Sequence, residues 1–146
     1  MSYKGIYKPS NPKKYKGDQS NIIYRSLWER KFMNYCDLNE NILEWASEEF
    51  WIPYLDPTTN RVRRYFPDFF IKYKDKTGSI RRSVIEVKPM RETLEPKATK
   101  GKSRKTMINE SMMYVKNQAK WKAAREFCAD RKLEFKIMTE KELGIR

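Results

Sequence analysis

The sequence contains no histidine. This absence excludes histidine general bases, Ser-His-Asp hydrolases, Cys/His zinc fingers and HNH-type nucleases. The two cysteines, Cys36 and Cys128, are too few for a disulfide scaffold and predict buried, free thiols in a reducing compartment, the alternative being a single disulfide between them. Any catalysis must therefore use carboxylates, lysines, tyrosines or a metal bound by oxygen atoms.

Long apolar runs are also absent. No segment of about 18 apolar residues could span a bilayer, and the N-terminus lacks the apolar stretch of roughly 7 to 15 residues found in secretory signals. We therefore expect no membrane partner and a protein that stays where it is made. A length of 146 residues favours one domain.

Acidic residues are the scarcer charged class. The chain has 19 Asp and Glu against 32 Lys and Arg, which gives a net charge of +13. Such an excess favours a polyanionic partner, with nucleic acid ahead of an acidic membrane surface. Aromatic residues make up 14% of the chain and supply large side chains for a core, so we expect a folded protein.

The expected organisation is a basic N-terminal arm, residues 1–20, followed by a single domain, residues 21–146. Pro9, Pro12, Gly5 and Gly17 prevent a long helix or strand in the arm. Hydrophobic periodicity and turn residues predict the element order α-β-β-β-α-β-α, which belongs to the fold class α/β (α+β). The predicted elements are a helix over 20–39, strands over 48–55, 63–74 and 79–88, a basic loop over 91–105, a helix over 106–131, a strand over 133–138, and a short helix capped by Thr139 and Glu142.

The second and third predicted strands carry the polar residues that suggest chemistry. If residues 76–78 form a three-residue loop with Gly78 in the left-handed conformation, Asp68 lies opposite Glu86. Strand alternation places Lys88 on the same face as Glu86. Oxygen ligands suit Mg²⁺ or Mn²⁺, and the lysine could orient a water molecule or stabilise charge on a phosphate.

Pro67-Asp68 together with Glu86-Val87-Lys88 resembles the motif of the PD-(D/E)xK nuclease superfamily. The predicted element order also resembles the restriction-endonuclease-like core of that superfamily, which implies a mixed central sheet. The alternative is that Asp68 and Glu86 are edge carboxylates that balance Arg64, Arg82 and Lys88.

A third carboxylate lies on the first predicted helix. The segment Arg25-Ser26-Leu27-Trp28-Glu29 resembles the R-S-x-x-E signature of junction-resolving and transposon-end-cleaving nucleases, which implies that Glu29 joins Asp68 and Glu86 as a metal ligand. The alternative is that Ser26 and Glu29 form a helix capping box. Weaker candidates on the long helix are Asn117, Gln118, Lys120 and Trp121.

The chain as a whole resembles the head-completion nucleases of T-even-type tailed bacteriophages. The stretches that carry the resemblance include Tyr7–Asp18, Tyr24–Glu29, Tyr65–Phe69, Glu86–Pro89 and Lys120–Ala124. The resemblance implies a virion-assembly nuclease that acts on packaged double-stranded DNA before filled heads join tails. It also implies catalysis by Glu29, Asp68, Glu86 and Lys88.

From these observations we expect a Mg²⁺-dependent endonuclease, with Mn²⁺ as a substitute, exonuclease action as a second mode and no nucleotide cofactor. The expected location is the host cytoplasm during assembly, or the virion, with head or neck proteins as partners. The basic segments predict backbone contacts to DNA from Lys13, Lys14, Lys16, Arg25, Lys97, Lys100, Lys102, Arg104, Lys105 and Lys120.

Two other functions remain open at this point. One is a structural neck or connector protein that has a nuclease-like fold and binds DNA without cutting it. Residues 32–60 contain no Lys or Arg but several acidic residues, which could bind a basic protein. The other is one subunit of a transposon-end endonuclease, which would need a partner transposase.

Overall fold

The computed structural model describes residues 4–144. The first three residues of the predicted arm and the last two of the predicted domain lie outside them. The strands within this range are β1 (Gly5–Ile6), β2 (Ile23–Tyr24), β3 (Ile42–Ser47), β4 (Ile52–Asp56), β5 (Arg61–Tyr65), β6 (Phe69–Lys74), β7 (Ile80–Val87) and β8 (Glu134–Met138). The helices are α1 (Leu27–Leu38), α2 (Met90–Thr93), α3 (Arg104–Asp130) and α4 (Glu140–Leu143), and a short 3-10 helix spans Pro12–Lys14.

The central sheet has the strand order β3-β6-β7-β8. The first two pairings are antiparallel and the β7–β8 pairing is parallel, so the sheet is mixed, as predicted. Its strands and the helices around it follow one another as α1, β3, β6, β7, α3, β8 and α4. This succession has the predicted types in the predicted order, but its first strand is not the one that was predicted, and α2 and the β1–β2 and β4–β5 strand pairs are additional.

The β6–β7 hairpin has the predicted register. Phe69 pairs with Ile85 and Lys74 pairs with Ile80. Gly78 has a φ of +86°, and its N–H donates to the carbonyl oxygen of Asp75 at 3.0 Å. A three-residue loop with a left-handed glycine therefore fixes which residues of the two strands lie opposite each other.

The first strand of the sheet differs from the prediction. The sheet begins with β3 over residues 42–47, which the sequence did not predict, because Trp45, Ala46 and Ser47 are all buried and alternation is lost. The strand predicted over 48–55 is β4, which pairs only with β5 as a separate hairpin. The single strand predicted over 63–74 is two strands, β5 and β6, interrupted at residues 66–68 where Pro67 has no N–H to donate.

The first helix begins later than predicted. Ile23 and Tyr24 form β2, which pairs with β1, and α1 starts at Leu27 after the N-cap Ser26. The long helix and the following strand match their predicted ranges within two residues, and α4 has the predicted Thr139–Glu142 capping box.

The segment predicted as an arm packs into the domain. Tyr7 and Tyr15 are buried, and the Tyr15 ring meets the Trp45 ring edge-on with 4.7 Å between centroids. The N–H of Lys16 donates to the carbonyl oxygen of Trp45 at 2.8 Å. Residues 4–20 contain no long helix or strand, yet they form part of the core.

Two buried clusters hold the fold together. One cluster joins α1 to the sheet through Phe32, Met33 and Phe69, and the other joins α3 to the β4–β5 hairpin through Trp121. Cys36 and Cys128 are buried and free, as predicted. Among residues 4–144, no helix has both the length and the apolar character needed to cross a membrane.

Candidate active site

Asp68 lies immediately before β6, at the break between β5 and β6. Its Oδ2 accepts a hydrogen bond from the N–H of Val87 at 2.8 Å. Its backbone carbonyl accepts from the N–H of Glu48 at 3.2 Å. Val87 at the end of β7 therefore fixes the side chain of Asp68, and Glu48, just after β3, fixes its backbone.

Glu86 lies on β7 and is only 5% exposed. Its Oε1 accepts a hydrogen bond from the hydroxyl of Tyr65 at 2.7 Å, and its Oε2 lies 3.8 Å from Nζ of Lys88. Burial, followed by the charge of Glu86, raises the pKa of Tyr65 well above its usual range. Tyr65 therefore remains a neutral hydrogen-bond donor that fixes the orientation of Glu86.

Glu29 lies in the first turn of α1. Its N–H donates to Oγ of Ser26 at 3.2 Å, and its Oε1 accepts from the N–H of Arg25 at 3.2 Å. The helix cap predicted at Ser26 is therefore present, but the carboxylate binds the residue before the cap. Burial is the main cause that raises the pKa of Glu29, and the charges of Glu48 and Glu86 add to it.

The three carboxylates share one electrostatic environment. The pKa of Asp68 lies well above its ordinary value, first because of burial and then because of the charges of Glu86 and Glu29. The Val87 N–H and the nearby Lys88 ammonium oppose this rise without cancelling it. The site thus holds more negative charge than its own donors and cations neutralise.

A divalent cation fits this charge and this set of donors. All three side chains offer oxygen, which Mg²⁺ and Mn²⁺ prefer. Hydrogen bonds from described residues engage Oδ2 of Asp68 and Oε1 of Glu29, and leave the second oxygen of each without such a bond. Within residues 4–144, however, no group of three or more Asp, Glu, Cys or His side chains is placed so as to hold a metal ion. The fit therefore rests on the excess charge and on the oxygen chemistry.

Sequence reasoning missed two residues of the site, Tyr65 and Glu48. Glu48 has a φ of +52°, and both of its oxygens accept from the Arg25 guanidinium at 3.0 Å. The residues around Tyr65 in the sequence do not indicate that its hydroxyl contacts Glu86, because the two residues meet only in the folded structure. Glu48 follows a strand that was itself not predicted.

Lys120 extends from α3 towards the same region. Its Nζ lies 5.8 Å from the ring centroids of both Tyr54 and Tyr65. Burial is the main cause that lowers its pKa. The structure places Lys120 beside the ring of Tyr65, whose hydroxyl binds Glu86.

The other predicted DNA contacts fall into two groups. Lys14 donates to the carbonyl oxygens of Asp37 and Asn39, Lys16 lies 3.7 Å from Glu44, Arg25 binds Glu48, and Lys102 lies 2.9 Å from Glu110. These four therefore have partners inside the protein. The remaining five are exposed and form no ion pair with any described residue: Lys13, Lys97, Lys100, Arg104 and Lys105.

Residues 39–140 match the family model described as TnsA-like endonuclease N terminal. The chain belongs to this TnsA-like endonuclease family. It is also similar to the head completion nuclease of Enterobacteria phage T4, with 38% identity over 143 residues that cover 96% of this chain and 93% of the phage protein.

Family membership confirms the predicted restriction-endonuclease-like fold and the resemblance to head-completion nucleases. Within this TnsA-like chain, Asp68, Glu86 and Lys88 fall inside the matched range, whereas Glu29 and the N-terminal segment precede it. The similarity to the phage nuclease extends over nearly the whole chain.

Proposed function

We propose that this chain hydrolyses phosphodiester bonds of DNA in a reaction that requires Mg²⁺, with Mn²⁺ as a substitute. The observation that carries the proposal is the pair Asp68 and Glu86 beside Lys88, in a TnsA-like endonuclease chain where the pKa of Asp68 is strongly raised. A buried carboxylate with a raised pKa beside a lysine is typical of catalytic sites. The expected mode is endonucleolytic, with exonuclease action as the second mode.

Each residue has a distinct role in this proposal. Asp68 and Glu86, with Glu29 as a third carboxylate, would hold the cation, which would supply positive charge to the scissile phosphate and acidify a water molecule. Lys88 donates a hydrogen bond that orients this water or stabilises charge on the phosphate oxygens. The Tyr65 hydroxyl keeps Glu86 oriented through its 2.7 Å hydrogen bond.

DNA binding would come from exposed basic side chains and from the overall positive charge of the chain. The five exposed, unpaired residues Lys13, Lys97, Lys100, Arg104 and Lys105 could contact backbone phosphates, with Lys120 nearer the site. If about six phosphates are neutralised, the logarithm of affinity should fall with the logarithm of salt concentration at a slope near −5. Fluorescence anisotropy with labelled duplex DNA measures this slope, and a nearly flat dependence would contradict the proposal.

The place of the reaction is proposed from the similarity to the head completion nuclease of phage T4. We propose that this chain acts on packaged DNA during head completion, in the host cytoplasm or in the virion, beside head or neck proteins.

The rival function, a connector that binds DNA passively, finds little support in the acidic block of residues 32–60. Asp37 and Asp56 are buried. Glu44 pairs with Lys16 and Lys72, and Glu48 pairs with Arg25. Most of the acidic side chains that could bind a basic partner are therefore already engaged within the domain.

The test is incubation of the purified protein with supercoiled and linear DNA in Mg²⁺, in Mn²⁺ and in chelator. We expect cutting only with metal, and loss of cutting in Asp68→Ala and Lys88→Ala. Asp130→Ala and Lys122→Ala remove an exposed carboxylate and an exposed lysine of α3, and should cut like the wild type.

Three results would change this conclusion. A folded wild-type protein that binds DNA but never cuts it would favour the connector function. Cutting that appears only after a transposase is added would favour the transposon-end subunit. Cutting that survives in both site variants would place the chemistry elsewhere in the chain.

A further inference from the structure

The β4–β5 hairpin has one buried face and one exposed apolar face. The buried face packs on α3. On the exposed face, Trp51 is 45% exposed, Leu55 56%, Val62 72% and Phe66 45%. A contiguous exposed apolar patch marks a binding surface more often than single exposed apolar residues do.

Trp51 and Phe66 lie at the base of the hairpin, next to the candidate active site. Because Ile52 pairs with Tyr65, the next residues beyond this pair, Trp51 and Phe66, lie side by side. Residues 48–51 and 66–68 connect this hairpin to the central sheet. There the N–H of Glu48 donates to the carbonyl oxygen of Asp68. The aromatic pair is therefore continuous with the carboxylates.

Phe66 and Asp68 also face the same side of the chain. Burial alternates from Tyr65 to Phe69, with residues 65, 67 and 69 buried and residues 66 and 68 more exposed. Because Phe66 and Asp68 are two positions apart, their Cα atoms lie within about 7 Å of each other. A ligand at the carboxylates could therefore contact Phe66 directly.

The charge beside the aromatic pair is positive. The guanidinium of Arg64 lies 4.8 Å from the centroid of the Trp51 ring. Among the residues that the structure describes, Arg64 forms no ion pair with an acidic side chain, and β5 contains two further arginines. An arginine stacked on an indole beside a second aromatic ring is suited to bind a nucleotide. The base of the nucleotide offers a π-face to the rings, and its phosphate offers a negative charge to the guanidinium.

The form of the nucleic acid follows from what a stacking surface needs. In a continuous duplex each base face is covered by its neighbours, so exposed rings have little to stack on. An unpaired base at an end, an overhang or an opened step presents a free face, and stacking on an aromatic side chain then adds affinity without reading sequence.

We propose that Trp51, Phe66 and Arg64 bind an unpaired nucleotide of the DNA strand beside the scissile phosphate. The preferred substrate is then DNA with unpaired bases next to the cleavage point rather than an uninterrupted duplex. This inference rests on the proposed function, because it names the DNA form that the same site takes.

The experiment compares two labelled DNA molecules of equal length and equal phosphate number in chelator. One is a fully paired duplex, and the other has a few mismatched pairs at one end. We expect the wild type to bind the mismatched end about tenfold more tightly, since each stacked base adds affinity of this order. Trp51→Ala and Phe66→Ala should bring the ratio of the two dissociation constants close to one.

Control variants separate stacking from general apolar contact. Trp51→Phe keeps an aromatic ring and should keep the preference, whereas Trp51→Leu should lose it. Leu55→Ala and Val62→Ala alter the same face near the hairpin tip, away from Asp68, and should leave the ratio unchanged. All of these positions are exposed, so the variants should fold.

The outcomes are distinguishable. Equal binding of both DNA molecules by the wild type, or an unchanged ratio in Trp51→Ala and Phe66→Ala, overturns the inference. If Trp51→Ala and Phe66→Ala instead lose self-association or protein binding while the ratio stays unchanged, the surface binds protein and the inference is also overturned. Metal-dependent cutting with no preference leaves the proposed function intact, whereas a preference without any cutting contradicts the proposed function.

Discussion

Two aspartates of this domain, Asp37 and Asp68, lie in contrasting environments. Asp37 accepts hydrogen bonds from the Tyr7 hydroxyl at 2.8 Å, the Ser10 N–H at 2.7 Å and the Asn11 N–H at 2.9 Å. Burial alone would raise the pKa of Asp37, but these three donors outweigh it and the pKa falls below its ordinary value. Its charge is fully satisfied inside the protein.

Asp68 has the opposite balance. One backbone N–H donates to its side chain, while two other carboxylates face it. Burial and like charge together raise its pKa. The comparison shows the same residue type with its charge satisfied by surrounding donors at Asp37 and with its charge left unsatisfied at Asp68, where we propose that it holds a metal ion.

The N-terminal segment Tyr7–Asp18 carries much of the resemblance to head-completion nucleases. Like Asp37, it serves the architecture of the domain. Lys14 binds the last carbonyl groups of α1, and Tyr15 bonds to Glu49 while meeting the Trp45 ring. Gly17 has a φ of +148°, and a Cβ there would collide with the carboxylate of Glu49. This segment therefore fastens residues 4–20 to the domain.

Asp68→Asn should have the largest effect, on activity alone. Loss of a charged ligand should reduce metal-dependent cutting by about 10³-fold, which corresponds to several kcal/mol of transition-state stabilisation. The midpoint of urea unfolding should not fall, because the change relieves repulsion with Glu86 and Glu29. A lower midpoint of unfolding, or full activity, would contradict the contrast between Asp37 and Asp68. Asp130→Asn is the control for both assays.

Asp37→Asn should have the reverse effect. An amide cannot accept all three hydrogen bonds, so the free energy of unfolding should fall by about 2–3 kcal/mol. Cutting per folded molecule should remain at the wild-type level. Urea denaturation and a nicking assay on the same samples measure both, and an unchanged stability would show that this aspartate is not an anchor.

The difference in stability between the wild type and Asp37→Asn should depend on pH. The pKa of Asp37 is lower in the folded than in the unfolded chain. Its stabilisation is therefore complete above the unfolded value of about 3.9 and is lost as the pH falls through the folded value. Urea unfolding of both proteins from neutral pH downwards should show a constant difference that shrinks in acid, and a difference that persists at the lowest pH would contradict this.

A pair of Tyr→Phe variants should give the smallest effects and the sharpest comparison. Each removes one hydroxyl that donates to a carboxylate, from Tyr7 to Asp37 or from Tyr65 to Glu86. Tyr7→Phe should cost about 1 kcal/mol of stability and leave cutting unchanged. Tyr65→Phe should slow cutting by about fivefold because Glu86 loses its orientation. The same result for both variants would remove the distinction between the two regions.

Prediction from sequence succeeded where structure depends on near neighbours. The β6–β7 register follows from a glycine that adopts φ of +86° in a three-residue loop, and α4 follows from its capping box. It failed at β3, where three successive buried residues hide the alternation. It also failed at the break around Pro67, because β5 pairs with β4 whereas β6 pairs with β3 and β7, and local residue patterns do not show which strands pair.

The residue types and their spacing set the possible chemistry and the local geometry. Without histidine, and with Asp68 set opposite Glu86 by a short turn, the sequence leaves an oxygen-donor patch beside Lys88. The tertiary structure decided which carboxylates are neutralised, because the donors to Asp37 and the like charges around Asp68 come from distant parts of the chain. A carboxylate's pKa depends on its solvation and its neighbours, and only the folded chain sets both.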